Sequence, residues 1–222
     1  MRQLRIAFFA EGSTDNAFLP TVLEKSVNYC VDVYGTCPID ILGVDEIDLH
    51  GGTFVDKGLK ACQQALEHGA ELLVVHTDAD SATAGKAWAE RIQPLLDAVA
   101  QADANTHCQV VVPAVPVQMI EAWMMANKDL LREQMGTAKS DADLGLNRKP
   151  EAYADPKQAI ENAIAIVGQD TTKRRRHRLT IGDLYEPLGQ QLDIEDLMTL
   201  PSFSEFLGSL HTALCQLRIC QP

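Results

Sequence analysis

Apolar and polar positions along the first 130 residues follow two alternating rhythms. Leu4–Ala10 (LRIAFFA) is an almost unbroken apolar run, the mark of a strand covered on both faces. Past Glu11-Gly12-Ser13, the residues Leu19, Val22, Leu23, Ser26, Val27 and Cys30 recur at helical spacing. Pro38–Leu49 alternates loosely and suits a more exposed strand. His50-Gly51-Gly52-Thr53 then punctuates the chain, and a helix runs toward His68-Gly69. Glu71–Thr77 (ELLVVHT) is a second apolar strand and runs straight into Asp78-Ala79-Asp80. Trp88, Ile92, Leu95, Leu96 and Val99 make the stripe of the next helix, where Pro94 predicts a kink or a break. Cys108–Val115 is a further buried-type strand, and Met119–Leu131 returns to helical spacing through Ile120, Trp123, Met124 and Leu131. This β-α rhythm predicts an α/β fold: a mostly parallel sheet flanked by helices.

The character changes near residue 133. Residues 136–156 are small, polar and turn-rich, and read as a loop or mobile segment. Helical pieces follow at 156–168, 183–198 and 202–217. The chain therefore divides into an α/β unit over 1–132 and a loop plus C-terminal helical extension over 133–222, packed on it.

Charge alters the picture of partners. The chain carries 19 Lys and Arg against 31 Asp and Glu, a net charge of −12. Such a surface repels phosphate backbones on average, so nucleic-acid contact needs a local basic patch or bridging cations. One such patch exists: Lys173, Arg174, Arg175, Arg176 and Arg178 fall in a single run with His177. Its structural alternative is a solvated loop that balances the acidic surface. The six cysteines form no C-x-x-C pair and no zinc-type spacing, which reads as reduced core thiols in a cytoplasmic protein. No apolar stretch is long enough to span a bilayer, and the N-terminal run meets Glu11 too early for a secretory leader.

In a parallel sheet, the strands end at one edge, and functional groups collect there. Three acidic signals fall at that place: Glu11 after the first strand, Asp78 and Asp80 after the third, and Glu121 just past the fourth. Carboxylates packed together repel unless neutralised, and all-oxygen ligands favour Mg²⁺ or Mn²⁺. Each also has a plainer reading. Glu11-Gly12 makes a solvated turn, Asp80 a helix N-cap, and Glu121 a helix-dipole carboxylate. Asp78 is harder to explain away, because a carboxylate closing an apolar strand is costly without a partner. Asp15 and His76 are candidates to support those ligands from behind: Asp15 lies four residues past Glu11, and His76 shares a strand face with Asp78.

Strand-Glu-Gly-x-x-Asp (FFAEGSTDNAFL) followed by strand-Asp-x-Asp (VVHTDAD) resembles the Toprim domain shared by topoisomerases, bacterial primases, OLD-family nucleases and RloB-like proteins. Met119-Ile120-Glu121-Ala122-Trp123-Met124 looks like the acidic-Trp helix of a bacterial Toprim-related family, and Leu200-Pro201-Ser202-Phe203 is similar to that family's C-terminal helix. The resemblance implies a Mg²⁺-dependent nuclease or phosphodiester-transfer protein acting on nucleic acid. It makes Glu11 a general acid/base or metal ligand, Asp78 and Asp80 catalytic metal ligands, and Glu121 a further ligand or a residue that positions one. The basic run 173–178 would contact phosphate, and the OLD-type likeness implies an ATPase partner.

Two other classes compete. A D-x-D strand end also occurs in glycosyltransferases that bind Mn²⁺ and a sugar diphosphate, but there Glu11-Gly12 has no task. A degenerate Toprim-like module would bind a partner without catalysis. Haloacid-dehalogenase phosphatases carry D-x-D on the first strand, not the third. Nucleophile-elbow and Walker-type loops are absent. His50-Gly51-Gly52-Thr53 offers an anion-binding helix start or, more simply, a glycine turn.

Overall fold

The computed structural model describes residues 2–10, 12, 15–170 and 179–221. Four strands, β1 (Arg2–Ala10), β2 (Ile39–Glu46), β3 (Leu72–His76) and β4 (Val111–Ala114), form one sheet in the order β2-β1-β3-β4. All three pairings are parallel, as the apolar runs predict. Helix α1 (Leu19–Tyr34) joins β1 to β2, and α2 (Phe54–Glu67) carries the chain back past β1 to β3. The crossovers from β1 and from β3 thus leave in opposite directions, so the strand order reverses between these two neighbours.

Side-chain alternation along the strands divides the core into two layers. Leu4, Ile6, Phe8, Leu72 and Val74 face one cluster with α1 and the C-terminal helices. Ala7, Phe9, Leu73 and Val75 face another with α2. The first cluster runs from Leu4 to Cys220, so residues after 133 share a core with the sheet. The chain is an α/β protein with a parallel sheet between helices and a C-terminal helical extension.

Between β3 and β4 lie α3 (Gly85–Ala87), a π-helical turn (Trp88–Ile92) and α4 (Gln93–Gln101). Pro94 is the second residue of α4, and the irregularity predicted for it falls in the π turn just before, where the helix gives up its regular bonding pattern. Gly58 of α2 admits α4 closely: a Cβ there would meet Leu95 Cδ1 at 2.5 Å.

The predicted helix over Met119–Leu131 is instead two, α5 (Glu121–Met124) and α6 (Lys128–Met135). Asn127 divides them. Its backbone is extended, its Oδ1 accepts the Leu130 N–H at 3.0 Å as an N-cap, and its Nδ2 donates to Asp196. Of the stretch 136–156, residues 136–155 are irregular apart from a 3₁₀ turn at Pro150–Ala152, yet they are anchored rather than mobile, because Leu144, Leu146 and Tyr153 are buried in the core. Helices α7 (Pro156–Asp170), α8 (Gly182–Gln191), α9 (Ile194–Leu197) and α10 (Pro201–Gln216) complete the chain. Among the described residues, no helix is long and apolar enough to cross a membrane.

Candidate functional site

The carboxyl edge of the sheet is where β1 and β3 finish side by side: Ala10, the last residue of β1, is in register with His76, the last of β3. His76 is in turn paired with Ala114 at the end of β4. Beyond these ends the β3 and β4 loops stay zipped. Thr77 N–H donates to Ala114 O, Ala79 N–H to Pro116 O at 3.0 Å, and Asp80 N–H to Gln118 O at 2.9 Å. Gln118 N–H returns a bond to Ser81 O at 3.0 Å. Asp80 (φ 52) and Gln118 (φ 62) both sit in the left-handed region that non-glycine residues rarely occupy. Such strained positions persist only where surrounding bonds over-determine them, and they cluster at functional sites.

This zipped loop presents Asp78 and Asp80. Asp78 Oδ1 accepts the Ile120 N–H at 2.9 Å, fixing the carboxylate against the segment that leads into α5. Its side chain is about one-third exposed, at 32%. His76 Nε2 lies 3.7 Å from the same oxygen. Burial pushes the imidazole pKa down to about 3, so at neutral pH a neutral ring stands against Asp78 and the contact is not an ion pair.

Asp80 does not cap a helix; α3 begins only at Gly85. Its more exposed carboxylate pairs with Arg91, Nη2 to Oδ2 at 2.8 Å. Arg91 also donates to Thr77 Oγ1. Arg91 extends from the π turn, an irregularity that recurs at functional sites and here aims a guanidinium back at the strand end.

Glu121 follows the residue that binds Asp78 but serves another neighbourhood. It is buried, and its Oε1 accepts the Tyr185 O–H from α8, with Lys157 Nζ of α7 at 3.7 Å. Gly189 lets α8 approach the start of α1 closely, since a Cβ there would meet Phe18 O at 2.9 Å. The buried carboxylate is thereby neutralised within the protein.

Glu11, Lys173, Arg174, Arg175, Arg176 and Arg178 lie outside the described residues. Asp15 opens a 3₁₀ turn, Asp15–Ala17, in the β1–α1 connection. In that turn, Asn16 donates to Glu46 at the end of β2, which holds the connection at the same sheet edge. Among the described residues, no three His, Cys, Asp or Glu side chains gather to hold a metal ion. The donors that Asp78 and Asp80 offer are hard carboxylate oxygens open to solvent, the type that Mg²⁺ and Mn²⁺ take. The His50-Gly51-Gly52-Thr53 helix start already holds an anion of its own: Thr53 and Asp56 form a reciprocal capping box.

Arg91 and Gln118 escaped the sequence reading. Arg91 sits among the polar positions of an ordinary amphipathic stripe, and Gln118 has no motif. Their roles follow from a π turn and a left-handed backbone, neither of which leaves a residue-type signature.

Beside the D-x-D loop lies a pocket of about 820 Å³, walled by residues 82–85, Trp88, Val117, the 149–152 turn and the start of α10. A chain of hydrogen bonds holds two of its lining residues, Ser202 and Glu151. Trp123 Nε1–H donates to Ser202 Oγ at 2.8 Å, and Ser202 Oγ–H donates to Glu151 Oε1 at 2.6 Å. Trp123 is held further by Phe203, edge-on at a centroid distance of 5.0 Å, and by Phe206.

Compared with known proteins, the chain matches no curated protein and no solved structure. A family model described as Domain of unknown function (DUF4276) matches residues 10–211, a span running from the last residue of β1 to within α10. It thus takes in the whole D-x-D edge and the pocket beside it, and the chain belongs to the DUF4276 family.

Proposed function

We propose that the protein is a Mg²⁺-dependent nuclease or phosphodiester-transfer protein of Toprim type that acts on nucleic acid in the cytoplasm. The observation that carries this reading is the position of Asp78 and Asp80 at the carboxyl edge of a parallel sheet, beside the point where the strand order reverses. Open α/β sheets bind ligands at that crevice. Asp78 and Asp80 would hold the cation, with Glu11, the residue after the last of β1, as a further ligand or general acid/base. When bound, Mg²⁺ or Mn²⁺ screens charge on non-bridging phosphate oxygens and activates water.

The chain's own groups do the rest. Ile120 N–H keeps the Asp78 carboxylate in one orientation, and neutral His76 backs it without competing as a cation. Arg91 offsets part of the negative charge at Asp80. The basic run 173–178 supplies phosphate contacts that the acidic body lacks. Glu121 is given a structural task through Tyr185 and Lys157. The free cysteines fit a reducing compartment, and the likeness to OLD-type proteins supports an ATPase partner.

The test is cleavage of mixed DNA and RNA substrates with and without Mg²⁺ or Mn²⁺, comparing the wild-type protein with Glu11→Gln and Asp78→Asn. Loss of metal-dependent cleavage in both variants supports the proposal; equal activity in all three overturns it. A second reading, a non-catalytic partner-binding module, draws on one observation: Arg91 already pairs with Asp80 where a metal ion would sit.

A further inference from the structure

We infer that the pocket beside the D-x-D loop is a nucleobase subsite that selects guanine, with Trp88 as the stacking surface and Glu151 as the group that reads the base edge. The inference rests on the phosphodiester reading above and names which part of the nucleic acid enters the protein next to the carboxylates.

Position comes first. The pocket wall begins at Ala82, two residues past Asp80, and its opposite lip includes Val117, next to the Gln118 that is zipped to Asp80 and Ser81. With consecutive Cα atoms about 3.8 Å apart, the pocket and the acidic edge are neighbours on the scale of one nucleotide. Its volume, about 820 Å³, lies in the range of small-ligand pockets, roughly 300–1,000 Å³. A double helix cannot enter such a space, whereas a single unstacked base can.

The lining supplies the two elements of base recognition. Trp88 offers an indole face for stacking, which any base accepts. Specificity needs polar groups fixed in place, and Glu151 is fixed. Its Oε1 accepts both Ser202 N–H at 3.0 Å and Ser202 Oγ–H at 2.6 Å. That serine is buried and locked from behind by Trp123. Glu151 Oε2 takes no hydrogen bond from any described residue, and Glu151 lines the pocket. Oε2, the oxygen that Ser202 leaves over, accepts from donors that converge on it, and guanine presents N1–H and N2–H₂ side by side. Lys149, also on the lining, carries the ammonium that suits the neighbouring O6 acceptor. Uracil and thymine offer a carbonyl beside their single N–H and would set an acceptor against the carboxylate.

The test titrates the full-length protein in EDTA with guanosine and with uridine, reading tryptophan fluorescence and heat. Guanosine should quench emission and bind at least about tenfold more tightly than uridine, the scale of a hydrogen-bonded discrimination. Glu151→Gln, which keeps an acceptor for Ser202 but loses the second carboxylate oxygen, should cut guanosine affinity about tenfold and leave uridine unchanged. Lys149→Met should also weaken guanosine, and it keeps the proposal testable if Glu151→Gln lowers the melting temperature. Trp88→Phe leaves only buried Trp123, so quenching should vanish. A short single-stranded RNA with one central guanine separates the sources of the base. Tighter binding than guanosine marks a base within a strand; equal binding marks a free nucleoside or nucleotide. Both outcomes support the subsite. Equal affinity for guanosine and uridine, or an unchanged guanosine affinity in both folded variants, overturns it. Guanosine binding without metal-dependent cleavage would sink only the nuclease reading, and cleavage without base discrimination would sink only this one.

Discussion

The Asp78 side chain and the Ile120 backbone meet across 42 positions of sequence, Oδ1 accepting N–H at 2.9 Å. This bond joins the end of β3 to the segment after β4, so the carboxylate both organises the edge and remains partly open to solvent. Stability and chemistry therefore separate by substitution. Asp78→Ala strands the Ile120 N–H and should cost about 1–3 kcal/mol, measured by urea unfolding. Asp78→Asn keeps the acceptor and should unfold close to wild type, yet lose metal-dependent cleavage by at least about 100-fold.

Arg91 and a cation would compete for Asp80. Removing a neighbouring positive charge favours a bound divalent ion, so Arg91→Gln should tighten Mn²⁺ binding by about threefold to tenfold in titration calorimetry. Unchanged or weaker Mn²⁺ binding would mean that Asp80 is not a ligand.

Tyr185 hydrogen-bonds a buried carboxylate. Tyr185→Phe leaves Glu121 with Lys157 as its remaining partner at 3.7 Å. Loss of a hydrogen bond to a charged group predicts a fall of about 1.5–3 kcal/mol in chemical denaturation. The Tyr185→Phe, Glu121→Gln pair should recover part of that loss, because the charge that needed the phenol is gone.

The cysteines should divide by depth. Burial pushes the Cys30 and Cys62 thiols up to about 12 from an ordinary value of 9.0, so almost no thiolate exists at pH 8. Iodoacetamide followed by mass spectrometry should label Cys37 and Cys215 first, and Cys30 and Cys62 only on unfolding. The same shift fixes the sign of the alkaline response. The native state holds these protons more tightly than the unfolded chain, so their contribution is complete below pH 9 and is lost as pH rises toward 12.

What was readable in the chain was whatever a local pattern can carry. Buried parallel strands leave continuous apolar runs, so β1, β3 and β4 were visible, and Asp78 and Asp80 could be placed at a strand end before any fold was known. The Asn127 break was legible in principle, since an asparagine ahead of Lys128-Asp129 is an N-cap signal, but the apolar spacing on either side masked it. The Glu121–Tyr185 bond spans 64 positions and joins residues whose types say nothing of each other. Trp123, Ser202 and Glu151 likewise belong to three separate elements. The anchoring of residues 136–156 rests on Leu144, Leu146 and Tyr153, too few and too irregularly spaced to show a period.

The larger core layer begins at Leu4 and is closed by residues as late as Leu214 and Ile219. During synthesis, that side of the sheet is therefore covered only in part, by α1, until the C-terminal helices have emerged. At about 5–20 residues per second, the stretch from the end of β1 to the end of α10 takes about 10–40 s to be made. Through that interval the unfinished apolar layer is the surface that a holding chaperone would bind.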